Sequence, residues 1–107
     1  KHINVGTGNF IAKNVAVNTM AKLGDYCILN TGCIIEHECS LGNAVHIAPG
    51  AVLAGNVSVG NFSFIGANTT VKQGVKIGNN VIIGAGSVII KDVPDNQTIV
   101  GNPGKAI

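Results

Sequence analysis

An aliphatic residue returns at every sixth position from Val5 to Ile89, and the register never slips. The column reads Val5, Ile11, Val17, Leu23, Leu29, Ile35, Leu41, Ile47, Leu53, Val59, Ile65, Val71, Ile77, Ile83 and Ile89. All fifteen positions are Ile, Leu or Val, residues that fill under a third of the chain. An amphipathic helix needs apolar residues at three- and four-residue spacing, and no stretch sustains that. Strands alternate their faces with period two, and six is a multiple of two, so the same face can be buried in every unit.

The neighbouring columns sharpen this reading. One residue after the aliphatic, Gly occurs at 6, 24, 42, 60, 66, 78 and 84, with Asn at 18 and 30. Gly and Asn tolerate left-handed or tightly turned backbone, which predicts a turn in each unit. Four residues after it come small or β-branched side chains, from Asn9 and Val15 through Cys27, Cys33 and Cys39 to Val81 and Ser87. These suit a crowded inward face. The economical construction is a set of short parallel strands with a bend between each, wound into a coil. Each turn of the coil hydrogen-bonds to the turns above and below. A composition that is 46% hydrophobic but only 4% aromatic, without tryptophan, fits a narrow interior of repeated small layers.

The 107 residues suffice for one domain, and the column is under way by Val5, so the chain reads as a piece of something longer. The expected division is a β-helix over residues 1–92 and a tail over 93–107 that caps the prism or contacts a ligand. The net charge of +2 is carried by scattered lysines, which excludes a nucleic-acid or membrane footprint. No apolar run approaches the ~18 residues of a membrane span. Three cysteines cannot all pair within one chain, and free thiols fit a reducing cytoplasm. Cys27, Cys33 and Cys39 share the inward column of consecutive units. They read as buried small hydrophobes rather than as a trigonal metal site, which would need charged thiolates in a dry core. An inward thiol cannot meet a substrate either.

Ionisable chemistry concentrates in "CIIEHECSLGNAVHIAPG", residues 33–50. Two of the three histidines lie here, nine residues apart, and Glu36 and Glu38 flank the first of them. In the six-residue register His37 falls at a corner and His46 on an outward strand position, so neither is a core histidine. A carboxylate beside an outward imidazole fixes its orientation, as a general base requires.

The hexapeptide pattern resembles that of the hexapeptide-repeat transferases, whose fold is a left-handed parallel β-helix. The resemblance covers residues 5 to about 105 and implies three units per coil, residues 18 apart in register, and about five coils. At ~4.8 Å per layer such a prism is about 24 Å tall. More narrowly, "NTGCIIEHECSLGNAVHIAPGAVLAGNVSVGNFSFIGAN" and the ending "KDVPDNQTIVGNPGKAI" resemble the C-terminal half of bacterial sugar O- and N-acetyltransferases. That group includes sialic-acid acetyltransferases and nucleotide-linked amino-sugar N-acetyltransferases. It implies acetyl transfer from acetyl-CoA, without a covalent enzyme intermediate, to a sugar amine or hydroxyl. It also implies a homotrimer with the site between neighbouring prisms, and no metal.

Residue by residue, the resemblance implies His37 as general base, Glu38 as its support and Asn30 as a further member of the site. It implies His46 as a contact of acetyl-CoA, and backbone amides near Ala67 and Ala85 along the pantetheine arm. The ending reads G-N-P-G-K where G-N-P-A-K is commoner. Members of the group usually carry an N-terminal α/β domain that binds the nucleotide sugar, and these residues hold nothing like it. Two other readings compete. A zinc hydratase resembling the γ-type carbonic anhydrases needs three histidines with two only a few residues apart, whereas His37 and His46 are nine apart and His2 lies at the start of the chain. A passive or ice-binding β-helix needs outward Thr-x-Thr ranks, and only Thr69 and Thr70 are adjacent.

Overall fold

The computed structural model describes residues 3–107, so His2 lies outside the described residues. Each of the fifteen aliphatics closes a two-residue strand. The strands stack into three sheets around a triangular prism. The first sheet holds Asn4–Val5, Lys22–Leu23, Ser40–Leu41, Ser58–Val59 and Lys76–Ile77. The second holds Phe10–Ile11, Ile28–Leu29, His46–Ile47, Phe64–Ile65, Ile82–Ile83, Thr98–Val100 and Lys105–Ala106. The third holds Ala16–Val17, Ile34–Ile35, Val52–Leu53, Thr70–Val71 and Val88–Ile89. Pairing within the coils is parallel between residues eighteen apart, as in Leu23 with Leu41 and Ile47 with Ile65. This is a left-handed parallel β-helix of about five coils.

The core is aliphatic. Leu29, Ile35, Ile47, Leu53, Ile65 and Ile83 are fully buried, and the second inward column packs between them. Its polar members bond to the backbone, which removes the penalty of burying a hydroxyl. Ser63 Oγ donates to the Gly78 carbonyl at 2.7 Å and accepts from Val81 N–H at 3.0 Å. Thr69 Oγ1 donates to the Gly84 carbonyl at 3.2 Å. Cys27, Cys33 and Cys39 are buried, and the first and last point Sγ at the carbonyls of Gly42 (3.1 Å) and Ala54 (3.2 Å). Burial pushes all three thiols up, Cys33 to about 11. In the first coil Val5 and Ile11 stay half-exposed, because no described layer lies beneath them.

The turn columns differ from the sequence expectation. The left-handed residue lies three positions after the aliphatic, not one, as at Asn14, Tyr26, Glu38, Ala44, Asn56 and Phe62. The glycines one position after the aliphatic serve a different purpose, which is close approach. A Cβ on Gly60 would meet the Asn79 side chain and stand 2.6 Å from the Gly78 carbonyl oxygen. The space it leaves is used by a ladder of Asx side chains at the corner between the first and second sheets. Asp25 N–H donates to Asn43 Oδ1 at 2.8 Å, Asn43 N–H to Asn61 Oδ1 at 2.8 Å, and Asn61 N–H to Asn79 Oδ1 at 2.7 Å.

Past Ile89 the chain first continues the walls. Val93 bridges to Ile77, and Thr98–Val100 pairs in parallel with Ile82–Ile83. Lys105–Ala106 then turns back antiparallel on it, and Gly104 N–H donates to the Val88 carbonyl at 2.8 Å. These two strands bring the second sheet to seven, which adds ~10 Å to the expected 24 Å. The longest dimension is 35 Å, over a section 21 Å across.

Candidate functional site

Three corners join the sheets, and the proposed site residues are divided among different sides of the triangle. His37 and Glu38 form the turn between Ile34–Ile35 of the third sheet and Ser40–Leu41 of the first. His46 stands on the outward face of the second sheet, the wall opposite that corner. Asn30, Ala67 and Ala85 lie on the corner between the second and third sheets. One prism therefore gathers His46, Asn30, Ala67 and Ala85 on one side and His37 with Glu38 on another.

Local chemistry explains the His37 corner. Glu38 occupies the left-handed position with φ of 62°, and its side chain turns back to the preceding imidazole. Glu38 Oε1 lies 3.3 Å from His37 Nδ1. Both side chains are more than half exposed (51% and 60%), so the pair faces solvent rather than supporting the core. Glu36, by contrast, is engaged from the coil before, accepting a hydrogen bond from Asn18 Nδ2 at 3.0 Å. The backbone is pinned to the next coil, with Asn56 N–H donating to the His37 carbonyl at 2.9 Å. With Nδ1 facing a carboxylate, the tautomer that donates from Nδ1 leaves the Nε2 lone pair available as a proton acceptor.

His46 is half-buried between Ile28 and Phe64 in register, and its ring meets that of Phe64 edge to face at a centroid distance of 5.0 Å. Asn30 Oδ1 accepts from the Thr31 N–H at 2.8 Å and has Thr31 Oγ1 at 3.4 Å, and its Nδ2 has no partner among the described residues. The Ala67 carbonyl accepts from Gly86 N–H at 2.7 Å, whereas the N–H groups of Ala67 and Ala85 have no partner among the described residues. The same holds for the N–H of Gly55, one coil beyond His37. Gly55 belongs to no chemical motif of the sequence. Its signal is positional: eighteen residues after an outward histidine stands a residue with no side chain.

The outer faces differ in character. The first sheet presents Asn4, Lys22, Ser40, Ser58 and Lys76. The second presents Phe10, Ile28, His46, Phe64 and Ile82, with Phe10 59% and Ile82 51% exposed. The third presents Ala16, Ile34, Val52, Thr70 and Val88. Phe62, an exposed aromatic, sits at a corner rather than on a face. Two adjacent walls are thus apolar and one is polar. No described group of three His, Cys, Asp or Glu side chains is arranged to hold a metal ion. No helix among the described residues is long and apolar enough to cross a membrane.

This repeat and coil define a hexapeptide-repeat β-helix. The chain belongs to the bacterial transferase hexapeptide (six repeats) family, whose pattern matches residues 20–55 and 56–91. Among solved structures it is similar to PerB from Caulobacter crescentus in complex with CoA and GDP-perosamine. That match has 41% identity and a TM-score of 0.97, and covers 98% of this chain and 51% of that one. It is also similar to the acetyltransferase domain of PglB from Neisseria gonorrhoeae FA1090 in complex with acetyl coenzyme A. There the identity is 34% and the TM-score 0.77, with 98% and 56% covered. A maltose O-acetyltransferase from Clostridium difficile 630 is 29% identical with a TM-score of 0.67, covering 100% of this chain and 66% of that one. The chain spans about half the length of the first two. No curated protein matches it.

Proposed function

We propose that this chain forms the catalytic β-helix of an acetyltransferase that moves acetyl from acetyl-CoA to an amine or hydroxyl of a nucleotide-linked sugar. The carrying observation is the solvent-facing His37–Glu38 pair on a corner of a hexapeptide β-helix. The CoA and GDP-perosamine bound to a 41%-identical relative support the class of both substrates. Glu38 holds Nδ1–H, and His37 Nε2 takes the proton from the acceptor as its lone pair attacks the thioester carbonyl carbon. The C–S bond then breaks, and the CoA thiolate leaves and is protonated from the imidazolium. The developing oxyanion needs donors already in place, and the unpartnered N–H of Gly55 and Nδ2 of Asn30 are suited to that role. Alignment of the two substrates supplies much of the rate enhancement.

The division of residues across the prism supports an interfacial site in a homotrimer. A threefold ring uses two different patches of each subunit, each meeting its complement on the next copy. The two apolar walls are adjacent, so the third sheet of one prism can pack on the second sheet of its neighbour. That arrangement carries the His37 corner of one copy to the His46 wall of the next. His46 and the Ala67 and Ala85 amides then line the acetyl-CoA side, and His37, Glu38 and Asn30 serve the chemistry.

The test is acetyl transfer to GDP-perosamine. His37→Ala should lower turnover by about 10²–10⁴-fold with little change in acetyl-CoA affinity. His46→Ala should chiefly weaken acetyl-CoA binding. Mixed trimers of the two variants should regain activity, since about a quarter of interfaces then pair an intact His37 with an intact His46. Near-normal turnover of His37→Ala refutes the base, and absence of complementation in verified mixed trimers refutes the shared site.

A further inference from the structure

We propose that Gly55 is a positioning residue for the His37 imidazole, which lies where the side chain at position 55 would be. The inference rests on the reading of His37 as the base, and it adds how the ring is held. A Cβ on Gly55 would stand 2.6 Å from both Cε1 and Nε2 of His37 and 3.3 Å from Cδ2, and these are its three nearest atoms. Real Cβ atoms do not approach so closely, so an alanine and the present ring position exclude each other.

The other reasons for a glycine do not apply here. Gly55 is not among the residues of positive φ, so its backbone suits any residue. Backbone atoms of the next coil forbid a Cβ at Gly66, where Ala85 N and the Ile83 carbonyl oxygen lie 2.6 Å away, but none lies so near at Gly55. At Gly32 and Gly74 nothing lies within 4 Å and the left-handed turn explains the glycine. Gly55 is also buried in a corner whose next residue, Asn56, is exposed, because the imidazole covers it. Two contacts thus fix the ring: Glu38 Oε1 faces Nδ1 at 3.3 Å, and the bare Cα of Gly55 leaves room for the ring face at its Cε1–Nε2 bond. The first sets which nitrogen carries the proton, and the second sets where the accepting nitrogen stands.

Gly55→Ala keeps the N–H at position 55 and adds only the methyl, so it isolates the seat from any role of the amide. The experiment is a double-mutant cycle with His37→Ala, read in three ways. In thermal unfolding, Gly55→Ala should cost little in either background, because the atoms it displaces are the exposed end of a side chain that can swing aside. In long-range proton–nitrogen spectra of the purified chain, Gly55→Ala should move the His37 ring resonances, assigned by their loss in His37→Ala, and leave those of His46 in place. In acetyl transfer to GDP-perosamine, it should lower kcat by about 10–10²-fold with the acetyl-CoA KM unchanged, the scale of an ångström's misplacement. The loss should vanish in the His37→Ala background.

Unmoved His37 resonances, or an equal loss of kcat with and without the imidazole, overturn the proposal. Should Gly55→Ala alone fail to fold, recovery of folding in the double variant supports the proposal and its absence overturns it. Should His37→Ala itself keep full turnover, the base assignment falls, while the spectra still judge the seat.

Discussion

Gly60→Ala tests the finding that glycines after the aliphatic column exist for close approach rather than for left-handed backbone. The added Cβ would stand 2.5 Å from the Gly78 carbonyl carbon and 2.6 Å from its oxygen, besides meeting Asn79 Oδ1. Carbon–carbon and carbon–oxygen contacts settle near ~3.5 Å, so the two coils must part by about 1 Å at this corner. Two hydrogen bonds cross the gap, Gly60 N–H to the Ile77 carbonyl at 2.8 Å and Asn61 N–H to Asn79 Oδ1 at 2.7 Å. Overpacking costs about 1–3 kcal/mol, and weakening two bonds adds about 1–2 kcal/mol. The total is ~2–5 kcal/mol, or about 10–30 °C of melting temperature at this size. Gly32→Ala is the contrast. Its φ is +69° and nothing lies within 4 Å, so only the left-handed backbone resists, at ~1–2 kcal/mol. Both variants should be melted by circular dichroism at one protein concentration, since any self-association would make melting concentration-dependent. If Gly32→Ala melts at or below Gly60→Ala, the close-approach account is wrong.

Ile65 is fully buried, so Ile65→Asp places an unpaired carboxylate in the core and should unfold or dissociate the protein; an unchanged melting temperature refutes the inward assignment. The Cys33 thiol is raised by desolvation from its ordinary 9.0 to about 11, so the unfolded chain loses this proton first as pH rises. Its contribution to stability is complete below about pH 9 and declines as pH passes through 11. The urea midpoint of the wild type should therefore fall more steeply between those values than that of Cys33→Ala, and parallel curves would show the thiol has no such influence.

The inward architecture was legible because packing leaves a column no freedom. Each of the fifteen aliphatics faces the axis, and eighteen-residue stacking follows once three units close a coil. The outward chemistry was legible only in part. The register alone placed His37 at a corner and His46 on a wall, but not on opposite sides of the prism, because that depends on which units share a sheet. The turn columns misled for a related reason. Glycine answers both to φ and to space, and residue type alone does not separate the two. Gly24, one position after an aliphatic, is closed by the Gly42 carbonyl, whereas Gly32, three positions after one, stands open with a left-handed backbone. Gly55 belongs to neither kind, since what fills its space is a side chain eighteen residues earlier.

The corners also divide the backbone donors in a way that bears on where ligands can bind. In a coil of this kind the middle residue of each corner points its N–H away from the ladders that join the strands. At the corner between the first and second sheets, Asp25, Asn43, Asn61 and Asn79 satisfy these groups with the Asx oxygen of the following coil. That corner is chemically closed. At the other two, the middle positions include Gly55, Ala67 and Ala85, which carry no Asx oxygen and whose N–H groups have no partner among the described residues. An N–H left open in this way is satisfied by water or by a ligand, and repetition spaces successive donors on one corner about 4.8 Å apart. A long ligand with several acceptors is suited to such a ladder, and a single developing oxyanion to the one beside His37. The closed corner faces neither need. Side chains that seal one edge of the prism, and glycine or alanine that leave two edges open, thus leave the donors that the proposed acetyl transfer needs on the corners flanking the apolar third sheet.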